Sequence, residues 1–189
     1  MTTSAFKLIA VTNRHLARTE LPVQIERIAK IARPDILILR EKDLSEDEYV
    51  HLASPVMRVC EHYGIECILH NYPRVARTLK CSAIHMPFEN FCREWQNMSD
   101  FQVMGTSIHS KDDALWAWKH GATYVTAGHI YETQCKKGLK GRGLEFLREI
   151  CLAVPIPVYA IGGINKEKIP DIFSAGAAGA CMMSEYMKM

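Results

Sequence analysis

The chain has almost no net charge: 23 Lys and Arg stand against 21 Asp and Glu, a formal charge of +2. That balance excludes a strongly basic nucleic-acid binder and an acidic disordered tail. No run of about 18 apolar residues occurs, so no transmembrane helix is expected. The opening MTTSAFKLIAVTNRH lacks the basic start and long apolar stretch of a signal peptide. No CxxC is found, and the seven cysteines (Cys60, Cys67, Cys81, Cys92, Cys135, Cys151 and Cys181) are odd in number and scattered. Neither a disulfide framework nor a zinc site is therefore expected. With no linker and no low-complexity stretch, residues 1–189 read as one reduced, cytoplasmic domain. No nucleic acid and no membrane is expected among its partners.

What the chain does have is a recurring short apolar run. Eight occur: Lys7–Val11, Asp35–Leu39, Glu66–Leu69, Ser82–Met86, Gln102–Gly105, Thr123–Ala127, Pro157–Ile161 and Gly179–Met183. Each has the length of a strand, and their mostly continuous apolar character suits strands covered on both faces. The segments between carry helical spacing, as in Leu21–Ala32 with apolar residues at 21, 25, 28, 29 and 32. Ser45–Tyr63 opens on a capping serine followed by acids and closes at Gly64, with Pro55 predicting a kink or a restart at Ser54. Lys111–His120, Leu144–Ala153 and Asn165–Ala175 follow, with shorter helices at Arg74–Lys80 and Glu89–Gln96. Strands alternating with helices predict an α/β fold, a closed (β/α)8 TIM barrel in preference to an open doubly wound sheet. The chain is small for such a barrel, and its final helix is short or missing, reduced to SEYMKM.

In barrels of this kind chemistry sits at the C-terminal strand ends. Polar residues concentrate there: Thr12, Asn13, Arg40, Glu41, Lys42, His70, Asn71, His85, Ser107, His109, Gly128, His129, Gly162, Gly163 and Ser184. Gly162-Gly163 and Ser184 follow strands seven and eight, where phosphate commonly binds to backbone N–H groups. Two tight turns that need glycine are the competing explanation. Arg40 and Lys42 can point two cations into the mouth, or can form an ordinary solvated turn. His129 can accept and return a proton, or can be a structural histidine. The basic, glycine-rich stretch 133–143 reads as a flap over an anion or as an exposed loop. Cys135 beside two lysines lacks a partner base and is not expected to be a nucleophile.

The segments GHIYETQCKKGLKGRG (128–143), PVYAIGGI (157–164), AGAAGACMMS (175–184) and LREK (39–42) resemble the thiamin phosphate synthase/TenI superfamily over nearly the whole chain. The stretch 128–143 is more similar to TenI, a thiazole tautomerase, than to the synthase. The resemblance implies a (β/α)8 barrel, a homodimer and a thiazole phosphate substrate. It implies magnesium for a synthase, which joins a pyrimidine diphosphate to thiazole phosphate, and no metal or other cofactor for TenI. Two carboxylates of the synthase metal site are replaced, by Tyr72 and by Asn90, and such a site holds Mg²⁺ poorly. Ile38 stands where the synthase has a pyrimidine-binding Gln, and Gly128-His129 where it has Gly-Pro.

Carried over residue by residue, the resemblance makes His129 the acid/base. Gly162, Gly163, Met183 (through its backbone) and Ser184 become a phosphate cradle, and Arg40, Lys42, Asn71, Ser107, Thr133 and Lys136 become substrate-binding residues. The expectation is an isomerase: a TenI-like thiazole tautomerase that aromatises a thiazole carboxylate phosphate by metal-independent proton transfer. The alternatives are a magnesium-dependent thiamin phosphate synthase, a non-catalytic regulatory protein that binds thiazole or thiamin phosphate, and a barrel for another phosphorylated substrate.

Overall fold

The computed structural model describes residues 5–133 and 138–189. Eight strands form one closed sheet: β1 (Lys7–Val11), β2 (Ile36–Leu39), β3 (Glu66–His70), β4 (Ala83–Pro87), β5 (Val103–Ile108), β6 (Tyr124–Gly128), β7 (Val158–Ile161) and β8 (Gly179–Met182). Every neighbouring pair is parallel, and β8 returns to β1 with Lys7 opposite Gly179 and Ala10 opposite Met182. The helices are α1 (Leu21–Ile31), α2 (Glu46–Tyr63), α3 (Pro73–Thr78), α4 (Phe88–Glu94), α5 (Lys111–Lys119), α6 (Gly143–Ala153), α7 (Ile169–Ser174) and α8 (Ser184–Met187). The (β/α)8 barrel expected from the apolar runs is the fold, with α8 a four-residue stub.

Strand alternation divides the apolar residues into two sets. Ile9, Val11, Ile36, Ile38, Ile68, Ala83, Tyr124 and Cys181 pack together as one cluster, the filling of the barrel. Their strand neighbours Ala10, Leu37, Leu39, Leu69, Ile84, Val125, Ala127 and Ala160 pack with helix residues such as Ile25, Ile28, Ala53 and Ile150 in a second cluster. Both faces of the sheet are dry, which is why the strands read as apolar runs instead of alternating ones.

Three expectations need correction. The fifth strand does not stop at Gly105 but runs to Ile108, because its ladder continues through Ser107 opposite both Pro87 and Thr126. The second helix does not restart at Ser54 but continues through Pro55 to Tyr63. Its buried residues Tyr49, Ala53, Val56 and Cys60 keep helical spacing across the proline, while a Ser45–Glu48 capping box and left-handed Gly64 fix its ends. The seventh helix begins at Ile169, since the Asn165 side chain accepts from the Lys168 N–H and caps a separate 3₁₀ turn.

The short α8 still covers its flank. Tyr186 and Met187 are buried, and the Gln24 side-chain amide on α1 donates to the carbonyls of Tyr186 (3.2 Å) and Met189 (3.3 Å). On the far side of α1, Tyr49 of α2 pins two strands: its hydroxyl donates to the Leu39 carbonyl at 2.5 Å and accepts from the His70 N–H at 2.8 Å. Tyr49→Phe keeps the ring but orphans a buried N–H, so stability is expected to fall by about 1–3 kcal/mol. Urea unfolding measures this; an unchanged midpoint would show that the two bonds contribute nothing.

Candidate active site

The two residues after β2 are aimed by what happens to the residue between them. Glu41 is buried, and its carboxylate accepts from Thr12 Oγ1 (2.7 Å), the Arg14 N–H (3.1 Å) and Arg14 Nη1 (3.2 Å). Thr12 Oγ1 also accepts from the Arg40 N–H at 2.9 Å. Arg14 reaches on to Asp43 with two further bonds, at 2.6 and 2.7 Å. The acid is thus spent on locking the β1 and β2 loops together.

Inside the barrel, His70 and His85 lie stacked with ring centroids 5.9 Å apart. Burial is the main force pushing both imidazoles toward the neutral form, His85 down to about 3. The positive charge of Arg40 acts on both in the same direction, and that of Lys42 on His70. The cations therefore act electrically on the histidines of the barrel interior. His85 also sits between Tyr124 Oη (2.9 Å from Nδ1) and Ser107 Oγ (2.8 Å from Nε2), and Thr126 Oγ1 is 3.0 Å from Ser107 Oγ. The strand-end reading of His85 is thereby corrected: it lies within β4, facing inward.

Asn71, in the left-handed region at φ 71°, faces Asn90, whose amide donates to Asn71 Oδ1 at 2.6 Å. Tyr72 points elsewhere; its hydroxyl donates to the Leu44 carbonyl at 2.6 Å and its ring packs edge-on against Tyr49. Asn71, Tyr72 and Asn90 bring no carboxylate to this corner. Among the described residues, no three His, Cys, Asp or Glu side chains are grouped to hold a metal. The residues present do not fit a carboxylate-held Mg²⁺.

Gly162 and Gly163 follow β7 at φ 104° and 65°. A Cβ on Gly162 would run into Cα and Cβ of His129, and one on Gly163 into the Glu132 carbonyl. The glycines therefore let the 128–132 segment lie directly on the β7 loop. Their carbonyls are used, accepting from the Tyr131 N–H (3.0 Å) and Lys168 Nζ (2.6 Å). Their N–H groups find no acceptor among the described residues. The tight-packing explanation of the pair holds, and the N–H groups remain candidate donors. Met183 precedes exposed Ser184 at the start of α8 on the neighbouring strand end.

His129 is buried and 3.2 Å from the Leu139 carbonyl through Nε2, while its Nδ1 has no partner among the described residues. It ties the glycine-rich stretch to the end of β6. His109 likewise holds a loop, with Nδ1 2.9 Å from the Gly128 carbonyl. Thr133 is described; Cys135 and Lys136 lie outside the described residues. Tyr124 and Thr126 were not expected at the site. Their signal is the alternation in YVTAG, which sends 124, 126 and 128 to one face of β6.

Comparison with known proteins follows this geometry. The family TMP-TENI, described as thiamine monophosphate synthase, matches residues 8–186. The "putative thiamine-phosphate synthase 2" of Aquifex aeolicus is 30% identical over 96% of this chain and 98% of its own length. The thiamine-phosphate synthase of Pyrococcus abyssi is 31% identical over 96% of this chain and 86% of its own. A solved structure, thiamine phosphate pyrophosphorylase from Pyrococcus furiosus, superposes with a TM-score of 0.83 at 24% identity, covering 100% of this chain and 91% of that one. These relatives overturn the expectation of an isomerase. They are named as synthases, which are transferases, and the local likeness of 128–143 to a tautomerase does not outweigh agreement along the whole chain.

The two interior histidines set a pH dependence. Unfolded, both titrate near 6.5; folded, both stay neutral to much lower pH. Below about pH 6.5 the unfolded chain binds protons the folded chain refuses, so stability is expected to fall with pH. The slope approaches about 1.4 kcal/mol per pH unit for each histidine. Urea unfolding at pH 7, 6 and 5 measures it, with His85→Gln expected to remove about half the slope; equal stability at all three values would contradict neutral burial.

Proposed function

Because the chain belongs to the thiamine monophosphate synthase family, we propose that it is a transferase of the synthase type, joining a pyrimidine diphosphate to a thiazole phosphate. In that step the thiazole nitrogen forms a bond to the pyrimidine methylene carbon, the carbon–oxygen bond to the diphosphate breaks, and diphosphate leaves with the electron pair. The observation that carries the reading is that one rim holds two corners suited to anions. Arg40 and Lys42 after β2 supply fixed positive charge, and three strands around the rim the Gly162-Gly163 amides have open donors. A reaction with two phosphorylated substrates needs two such corners.

The roles follow from charge and donor chemistry. Arg40 can bind a diphosphate bidentately and Lys42 adds a point charge, both most useful as charge builds on the departing group. Gly162, Gly163, the Met183 backbone and Ser184 hold the thiazole phosphate, with Thr133 beside it. Asn71 and Ser107 offer uncharged contacts, and Lys136 adds a positive charge. His129 ties the end of β6 to the Leu139 carbonyl. No step is routed through a metal, since Asn90 and Tyr72 do not fit one. That same amide corner favours a second reading, a protein that binds these phosphates without turnover. A homodimer in the cytoplasm is part of the proposal.

The test mixes pyrimidine diphosphate, thiazole phosphate and protein, with and without Mg²⁺, and measures thiamine phosphate. Product formation is expected, and Arg40→Ala is expected to lower kcat/KM by about 30- to 5,000-fold, the usual cost of roughly 2–5 kcal/mol for removing one partner of a desolvated charge contact. Bound substrates without product would replace the transferase by the binding protein, and the absence of both would overturn the reading.

A further inference from the structure

The polar chain inside the barrel does more than fill space. Tyr124 is 3% exposed and its ring lies over Gly105, where any Cβ would collide with the phenol. The strand opposite has given up its side chain to admit this one hydroxyl. The hydroxyl meets a single polar group among the described residues, Nδ1 of His85 at 2.9 Å. A buried phenol that leaves its proton undonated costs free energy; among the described residues the acceptor within reach is that nitrogen.

The consequence passes along the imidazole. A neutral imidazole carries one N–H. With Nδ1 accepting from Tyr124, the proton sits on Nε2, which donates to Ser107 Oγ at 2.8 Å. Thr126 Oγ1, 3.0 Å away, donates to the same oxygen. Both lone pairs of Ser107 are then occupied by protein donors. What remains is its own O–H, on a residue that is only half-buried and lies near the C-terminal end of β5, the end of the barrel at which Arg40 and Lys42 follow β2.

We propose that Tyr124 is a positioning residue which, through His85, holds Ser107 as a dedicated hydrogen-bond donor to an anionic phosphate oxygen in the barrel mouth. The ligand half of this proposal rests on the reading of the mouth given above. A serine held this way prefers an acceptor such as a diphosphate oxygen and gives nothing to a ligand that presents a donor, so Tyr124 contributes to specificity from the middle of the barrel.

The test has two arms. Nitrogen-15 spectra of the histidines at pH 7 read the His85 tautomer in the wild-type protein without any variant. A protonated Nε2 is expected, giving way to a mixture in Tyr124→Phe, which preserves the ring and the packing. Calorimetric titration with inorganic diphosphate reads the donor. Ser107→Ala is expected to weaken binding about 10- to 100-fold, the worth of one hydrogen bond to a charged group. Tyr124→Phe is expected to weaken it severalfold in the wild-type background and not at all in the Ser107→Ala background. An Nδ1-protonated His85 in the wild type would overturn the proposal. So would an equal loss from Tyr124→Phe in both backgrounds, which marks a merely structural role. Wild-type protein that binds no diphosphate would overturn the reading of the mouth and the ligand half with it, while the Nε2–H tautomer would still uphold the relay.

Discussion

Eight parallel strands closed on themselves must send every second side chain into one narrow interior, and that constraint organises the rest of the molecule. The lower part of the interior is filled by Ile9, Ile36, Ile68, Ala83 and Cys181. One pleat further along β3 and β4 the same face delivers His70 and His85 toward the mouth, and β5 and β6 bring Ser107 and Thr126 to them. A change of register by one residue would move all of these to the helix side. The position of each polar group is therefore set by ladder hydrogen bonds far from any ligand, and only its identity is left to chemistry.

Charge is handled by the same economy. Glu41, between Arg40 and Lys42, is held in bonds with Thr12 and Arg14, so the loop that carries two cations is tied to the loop after β1. Where a metal-holding acid is expected from the family, Tyr72 and Asn90 are instead used up in contacts with Leu44 and Asn71. Glycine acts in the same economy: Gly105 yields space to Tyr124, and Gly162 to His129.

Much of this was legible before the fold was seen. Eight apolar runs and their helical spacers determine the barrel, and the polar residues that follow each run mark its mouth. The interior network was not legible from run lengths alone. Tyr124 and Thr126 sit within a run, and only the alternation in YVTAG betrays that they face inward. The fifth strand ran longer than its apolar pattern because Ser107 lies in the ladder, its polar side chain satisfied by His85 and Thr126. The reaction class was misread for a related reason. A few loop residues, above all Gly128-His129, outweighed the rest of the chain, yet His129 is held by the Leu139 carbonyl and shapes the loop it was expected to serve as a catalyst.

The central claim is that one rim holds two separate anion sites, cationic after β2 and amide-lined after β7. The most direct measurement is a crystal structure with thiazole phosphate and inorganic diphosphate bound together. The account predicts the monophosphate on the N–H groups of Gly162 and Gly163 beside Ser184, and diphosphate against Arg40 and Lys42 within reach of the Ser107 hydroxyl. Both ligands competing for one site, or neither touching these residues, would contradict it.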